Sequence, residues 1–338
     1  MLRVASLAER RSVNLRKRWP APRRACWAFR SIAGAGPVRV RRGARAGRVV
    51  GYLRAMARDV FEERFAWRGR SVAWRRIGAG PGVVMCHGTP FSSRIWRPFA
   101  EGLSADHTVY LWDMPGYGAS SKAAEHRVDL GVQGELLADL IAEWGLERPH
   151  VVAHDFGGAV SLRAHLLHGA RYRSLMLVDV VAIRPTGSPF FKFVQRHPGV
   201  MAELPAYVHR AILAAYIQGA SHRGLRADDL DELIAPWATD EGQPAFYRQI
   251  EQTDERFLEE IEPRLSDIDV PVRIVWGSDD AWIPPETAQR LRDLIPSATL
   301  RLVDGASHLI HYDAPVALAD ELRRWLASNR RPGAAPEA

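Results

Sequence analysis

The chain of 338 residues is 47% hydrophobic and 25% charged, with a formal charge of +7, which suits one large globular core and excludes collagen-like and wholly disordered classes. Residues 1–58 hold sixteen Lys and Arg against one acid, Glu9, a net of +15 that leaves −8 on the remaining chain. The basic character belongs to that segment, so a nucleic-acid-binding role for the whole protein is excluded.

Residues 1–58 lack long apolar periodicity and any apolar run long enough for a signal-peptide core or membrane span. They read as a basic, disordered N-terminal extension, an over-extended start ahead of Met56. A targeting arm or tether to anionic surfaces is the functional alternative. Cys26 and Cys86 are the only cysteines, too few for a disulfide framework, and a cytoplasmic location with no metal centre is expected.

From residue 60 onward, eight strand-like runs alternate with helical patterns: VFEERFAW, SVAWRRI, GVVMC, TVYLW, HVVAH, SLMLVD, VRIVW and TLRLV. That alternation predicts a mostly parallel sheet covered by helices on both faces. Val132, Leu136, Leu140, Ile141 and Trp144 recur at helical spacing and mark a core-facing helix. Between 184 and 266 no strand run occurs and amphipathic helices take over. An insertion there predicts a helical cap over the carboxyl ends of the strands, with the core formed by 59–183 and 267–329 and a loose tail at 330–338.

Within VVAHDFGGAV, Ala153 and Gly157 flank Asp155 two places to either side, the pattern of a strained strand-to-helix turn that lifts its central side chain into a pocket. Capping of the following helix is the alternative role for Asp155. In CHGTP, backbone N–H groups of Thr89 and Phe156 are expected to converge on one oxygen. His87 reads as a structural hydrogen-bonding residue, and His154 should face away from Asp155 because adjacent strand residues point to opposite sides. GSDDAWIPP and DGASHLIHYDAP then supply an acid and a base in the right chain order. Asp280 and His308 are the preferred pair; Asp279, Asp179 and His311 compete by residue type.

HGTP, DMPGYGAS, AHDFGG, GSDDAWIP and GASH, in that order from about residue 60 to 328, make this region resemble the α/β-hydrolase superfamily. The acid at the turn narrows the resemblance to the epoxide hydrolase and haloalkane dehalogenase branch. The resemblance implies an α/β-hydrolase fold with an eight-stranded, mostly parallel sheet and an inserted cap, no cofactor, and small apolar electrophiles plus water as partners. It also implies that Asp155 attacks a saturated carbon to form an alkyl ester, which water activated by His308 then hydrolyses.

For a halide, the dehalogenase pattern uses side-chain N–H donors, where this chain has Phe156 and Thr89. For an epoxide, a cap tyrosine hydrogen-bonds the leaving oxygen, and QPAFYRQI makes Tyr247 the resembling residue, with Tyr207 and Tyr216 as possible second donors. Epoxide hydrolysis therefore leads, with haloalkane or haloacid dehalogenation next, although SSRIWR is closer to the dehalogenase form. A non-catalytic small-ligand receptor is the alternative of another class. Phe190, Phe191, Phe193, Trp237 and Phe246 are candidates to line the pocket.

Overall fold

A computed structural model describes Phe61 and residues 63–329. The expected basic extension over 1–58 and the tail over 330–338 lie outside the described residues. Strands β1 (Glu63–Trp67) and β2 (Arg70–Ile77) form an antiparallel hairpin, and β2 also runs antiparallel to β4 (Thr108–Trp112). From β3 (Gly82–Cys86) onward every pairing is parallel, through β5 (His150–Asp155), β6 (Ser174–Val180), β7 (Val272–Gly277) and β8 (Ala298–Val303). The eight strands lie in the order β1-β2-β4-β3-β5-β6-β7-β8. Every residue of β5 and β6 is buried, as expected of central parallel strands covered on both faces, which read as near-continuous apolar runs.

Helix α1 (Arg97–Leu103) precedes β4, and α2 (Leu130–Glu143) follows it. Asp129 caps α2, its Oδ1 accepting from Gly131 N at 3.0 Å and Val132 N at 3.1 Å, an arrangement worth about 1 kcal/mol. The expected stripe is core at Leu136, Leu140 and Ile141, joined by Leu137, while Val132 and Trp144 lie at its half-buried margin. Truncating Leu136 to Ala would cost about 2–5 kcal/mol through lost burial and the cavity left behind.

Helix α3 (Phe156–Leu167) begins directly at the end of β5, with nearly all of its residues buried between the sheet and its neighbours. Between β6 and β7 the described chain forms helices α4 (Pro189–Arg196), α5 (Pro198–Ala202), α6 (Ala206–Gln218), α7 (Ala227–Ile234), α8 (Gly242–Glu251) and α9 (Arg256–Glu259), and no strand. Side chains of this insertion bond the loops after β3 and β4. Trp237 Nε1 donates to Pro90 O at 2.6 Å, Arg248 to Lys122 O at 2.6 Å, and Gln252 Oε1 accepts from Val128 N at 2.7 Å. Helices α10 (Pro285–Leu294), α11 (Ile310–Asp313) and α12 (Pro315–Ser328) complete the fold. No helix of the described residues is long and apolar enough to cross a membrane.

Candidate active site

Asp155 ends β5 at a register shift that pairs it with Val180 of β6. Its backbone lies at φ +48°, ψ −121°, a conformation costing an aspartate roughly 1–3 kcal/mol. Gly157 lets the turn close: a Cβ there would stand 2.7 Å from both Cys86 O and His87 O. Although Asp155 occupies the N-cap position of α3, its side chain makes no capping hydrogen bond. The carboxylate turns toward the loop after β3, where Oδ1 accepts from Thr89 N at 2.6 Å. That loop approaches so closely that a Cβ on Gly88 would lie 2.3 Å from Asp155 Cβ.

His308, in the turn after β8, is fully buried, with Nε2 3.4 Å from Asp155 Oδ2. No hydrogen bond occupies that nitrogen. Its Nδ1 lies 3.0 Å from Asp280 Oδ2, and Asp280 Oδ1 accepts from Trp282 N at 2.8 Å and Ile283 N at 2.9 Å. Asp280 is thus fixed by two backbone donors while it orients the imidazole. Burial alone would lower the His308 pKa, but Asp280 and then Asp155 favour the charged form and carry it to about 10. Trp282 stacks on the imidazole at 4.9 Å between ring centres.

The neighbouring candidates are occupied otherwise. Asp279 is exposed and accepts from Ser278 Oγ at 2.8 Å and Gly305 N at 3.2 Å. Asp179 is sealed in the interior, one oxygen accepting from Gly277 N at 2.7 Å and the other without a partner. Burial, reinforced by the charge of Asp280, pushes its pKa well up. His311 is packed against Trp96, Phe99 and His154, and burial drives its pKa down. His154 turns away from Asp155, its Nε2 donating to His308 O at 2.9 Å. His87 accepts from Met114 N at 2.9 Å through Nε2, which leaves the proton on Nδ1 to donate to Gly88 O at 3.0 Å.

A cavity of about 50 Å³ opens onto Asp155, walled by Thr89, Phe156, Phe191, Tyr216 and Trp282 among others. Cavities of about 290 and 470 Å³ elsewhere touch none of Asp155, Asp280 and His308. Tyr216 stacks on Trp282 at 4.4 Å, and no hydrogen bond among the described residues takes its hydroxyl. Burial and the charge of Asp155 push the phenol well above its ordinary pKa, so it stays protonated. Among the described residues no three His, Cys, Asp or Glu side chains converge as metal ligands.

With this geometry, comparison with known proteins is decisive for the family: the model of the Alpha/beta hydrolase family matches residues 83–321. The chain belongs to that family. An alpha/beta hydrolase fold protein from Burkholderia ambifaria is 46% identical, with a TM-score of 0.76 over 78% of this chain and 97% of that one. Haloalkane dehalogenase DatA from Agrobacterium tumefaciens C58, 20% identical, shares the fold at a TM-score of 0.70, covering 79% and 96% of the two chains. Pimeloyl-[acyl-carrier protein] methyl ester esterase from Aeromonas hydrophila is 26% identical over 251 residues, 70% of this chain and 92% of the relative.

In this alpha/beta hydrolase the fold places Asp155, His308, Asp280 and Thr89 side by side, and Phe156 joins them at the cavity wall. The expectation for Tyr247 needs correction. Its hydroxyl pairs with His209 Nδ1 at 2.8 Å, and it is absent from the walls around Asp155. Tyr207 is exposed, and Tyr216 is the tyrosine that reaches the cavity. Three expected lining residues are also packing residues instead. Trp237 spends its N–H on Pro90 O, Phe246 is enclosed by Trp237, Tyr216, Tyr247 and His209, and Phe190 packs beside Tyr216. Phe191 does line the cavity, whereas Phe193 is exposed.

Sequence reasoning missed Trp282 and Gln249. Trp282, two places after Asp280, was signalled by the aromatic in GSDDAWIPP. Gln249 of α8 had no such signal; its Oε1 accepts from Thr89 Oγ1 and from Tyr117 OH, both at 2.8 Å, tying the insertion to the loop beneath Asp155.

Proposed function

We propose that the protein is an Asp-nucleophile hydrolase acting on a small epoxide. A single observation carries this reading: the Asp155 carboxylate leaves its helix uncapped and sits between Thr89 N at 2.6 Å and His308 Nε2 at 3.4 Å. A carboxylate needs no activating base to attack saturated carbon. A serine at the apex of this turn would suit attack on a carbonyl, whereas the aspartate found there suits displacement at saturated carbon.

Asp155 Oδ2 attacks an epoxide carbon, the ring C–O bond breaks, and the alkoxide takes the Tyr216 proton, leaving an alkyl ester and a phenolate. Esterification removes the Asp155 charge, which had been holding the His308 pKa up, so the imidazolium gives its proton to the Tyr216 phenolate and becomes a free base that takes a proton from water. Hydroxide adds to the ester carbonyl, and the resulting oxyanion is met by N–H groups of Thr89 and Phe156. Collapse releases the alkoxide, which takes the proton of the new carboxyl group to become the diol, leaving Asp155 ionised and His308 charged as at the start. In this reading the insertion, bounded near 184 and 266, acts as a cap that keeps bulk water from the ester, supported by its bonds to Pro90, Lys122 and Thr89.

A haloalkane or haloacid would meet the same Asp155 but needs N–H donors for halide. The cavity's one indole, Trp282, has its Nε1 beside exposed Gly219, 3.8 Å from where a Cβ would stand there. Epoxide opening by Tyr216 fits better. The test is His308→Gln followed by intact mass and peptide mapping after separate exposure to an epoxide and a haloalkane. An ester on Asp155 from the epoxide is expected. An ester only from the haloalkane selects dehalogenation, and tight binding without any ester selects a non-catalytic receptor.

A further inference from the structure

The cavity at Asp155 is about 50 Å³, well below the roughly 300 Å³ or more of an ordinary small-molecule site, so a substrate longer than its reacting group must extend beyond it. A second cavity of about 190 Å³ adjoins it, and the two share Val181, Thr186, Gly187, Trp282 and Ile283 as walls. The second cavity is otherwise walled by residues such as Val180, Ile183 and Pro284, and its one charged lining residue is Lys192 of α4. Lys192 stands over the junction: its Cε is 4.0 Å from where a Cβ on Gly187 would be, and Nζ is one bond further.

The charges around Lys192 are engaged elsewhere. Arg184 pairs with Glu259 and Glu262, and Glu255 Oε1 accepts from Thr186 N at 2.8 Å. Among the described residues no ion pair or hydrogen bond takes the Lys192 ammonium. The exposed Lys192 ammonium, unpaired at the rim of a passage whose other lining residues are uncharged, favours an anion whose own tail fills that passage.

We infer that the substrate carries a carboxylate: its electrophilic carbon reaches Asp155, an alkyl tail occupies the adjoining cavity, and the carboxylate pairs with Lys192. This rests on the epoxide reading above. It assigns substrate class to a residue far from the bond being broken, so Lys192 governs specificity and not chemistry.

The experiment compares a terminal epoxide bearing a carboxylate on a short alkyl tail with its matching primary amide, in the full-length protein and in Lys192→Gln and Lys192→Glu. The wild type should prefer the carboxylate, and Lys192→Gln should cut the kcat/KM ratio of carboxylate to amide about fivefold, the size of a partly solvated ion pair of about 1 kcal/mol. Lys192→Glu should lower the ratio further, and added salt should erode the wild-type preference. Equal kcat/KM for the two substrates, or equal losses for both in Lys192→Gln, overturns the inference. In that case ester formation on Asp155 from the amide in the His308→Gln background leaves the epoxide reading standing, whereas no ester from either substrate overturns both.

Discussion

The carboxyl ends of β5 and β6 each hold an aspartate in the left-handed region, Asp155 at φ +48° and Asp179 at φ +45°. The two share a residue type and a backbone strain, yet their surroundings divide them. Asp155 has an N–H donor, an imidazole and an open cavity before it. Asp179 has one backbone donor, a neighbouring carboxylate and no way out. Strain presents a side chain; what it is presented to decides whether it can react.

The strongest way to break the contrast is Asp155→Asn, which should lower kcat/KM for an epoxide about ten-thousandfold or more by removing the attacking group. Intact mass should show no ester in this variant. Asp280→Asn should slow ester hydrolysis about a hundred- to ten-thousandfold by misorienting the imidazole, so the ester accumulates in rapid-quench mass spectra. Tyr216→Phe should cost about a hundredfold in ring opening, whereas Tyr247→Phe, losing only its bond to His209, should cost about 1 kcal/mol of stability. Single-turnover rates and urea melts separate the two.

The pH dependence sharpens the same contrast. In the free enzyme burial opposes the charge on His308, but attraction to Asp280 and Asp155 outweighs it and holds the imidazole charged up to about 10. Once Asp155 is esterified, one of those charges is gone, so hydrolysis of the preformed ester should rise through a pKa well below that value in pH-jump experiments.

The smallest effect on turnover should come from Asp179→Asn, within about threefold, because its carboxyl does not line the cavity at Asp155. Stability should respond more. The folded pKa of Asp179 is raised by burial and by the charge of Asp280, so between the unfolded value near about 4 and the raised folded value the fold holds a proton that the unfolded chain releases, and stability falls as pH rises through that window. Asn removes that linkage. Its melting temperature should exceed that of the wild type at neutral pH, with the gain vanishing in acid.

The parts of the molecule legible in the sequence were those imposed by backbone geometry. Gly157 announced the turn because a side chain there would strike two carbonyl oxygens, and the order of Asp155, Asp280 and His308 followed from strands that carry their loops to one edge. Asp280 is preferred to Asp279 in the sequence with Asp279 a live competitor, and the turn geometry shows which carboxylate meets Nδ1. The insertion was legible as helices but not as a pocket. Tyr216 and Tyr247 both sit on amphipathic helices, and which of them faces the cavity depends on how those helices pack. His209, thirty-eight residues before Tyr247, claims its hydroxyl, a pairing no local pattern encodes. Phe246 and Trp237 were misread for the same reason, as an aromatic that packs and one that lines a cavity look alike in sequence.

The near-contact between Gly88 and Asp155 bears on how this catalyst can be reshaped. The floor under the Asp155 carboxylate is main chain, so no exchange of side chains can lower it. Variants that accept bulkier molecules must be sought in the ceiling, at Phe191 or in the 185–188 loop, while libraries that randomise position 88 will mostly yield dead proteins.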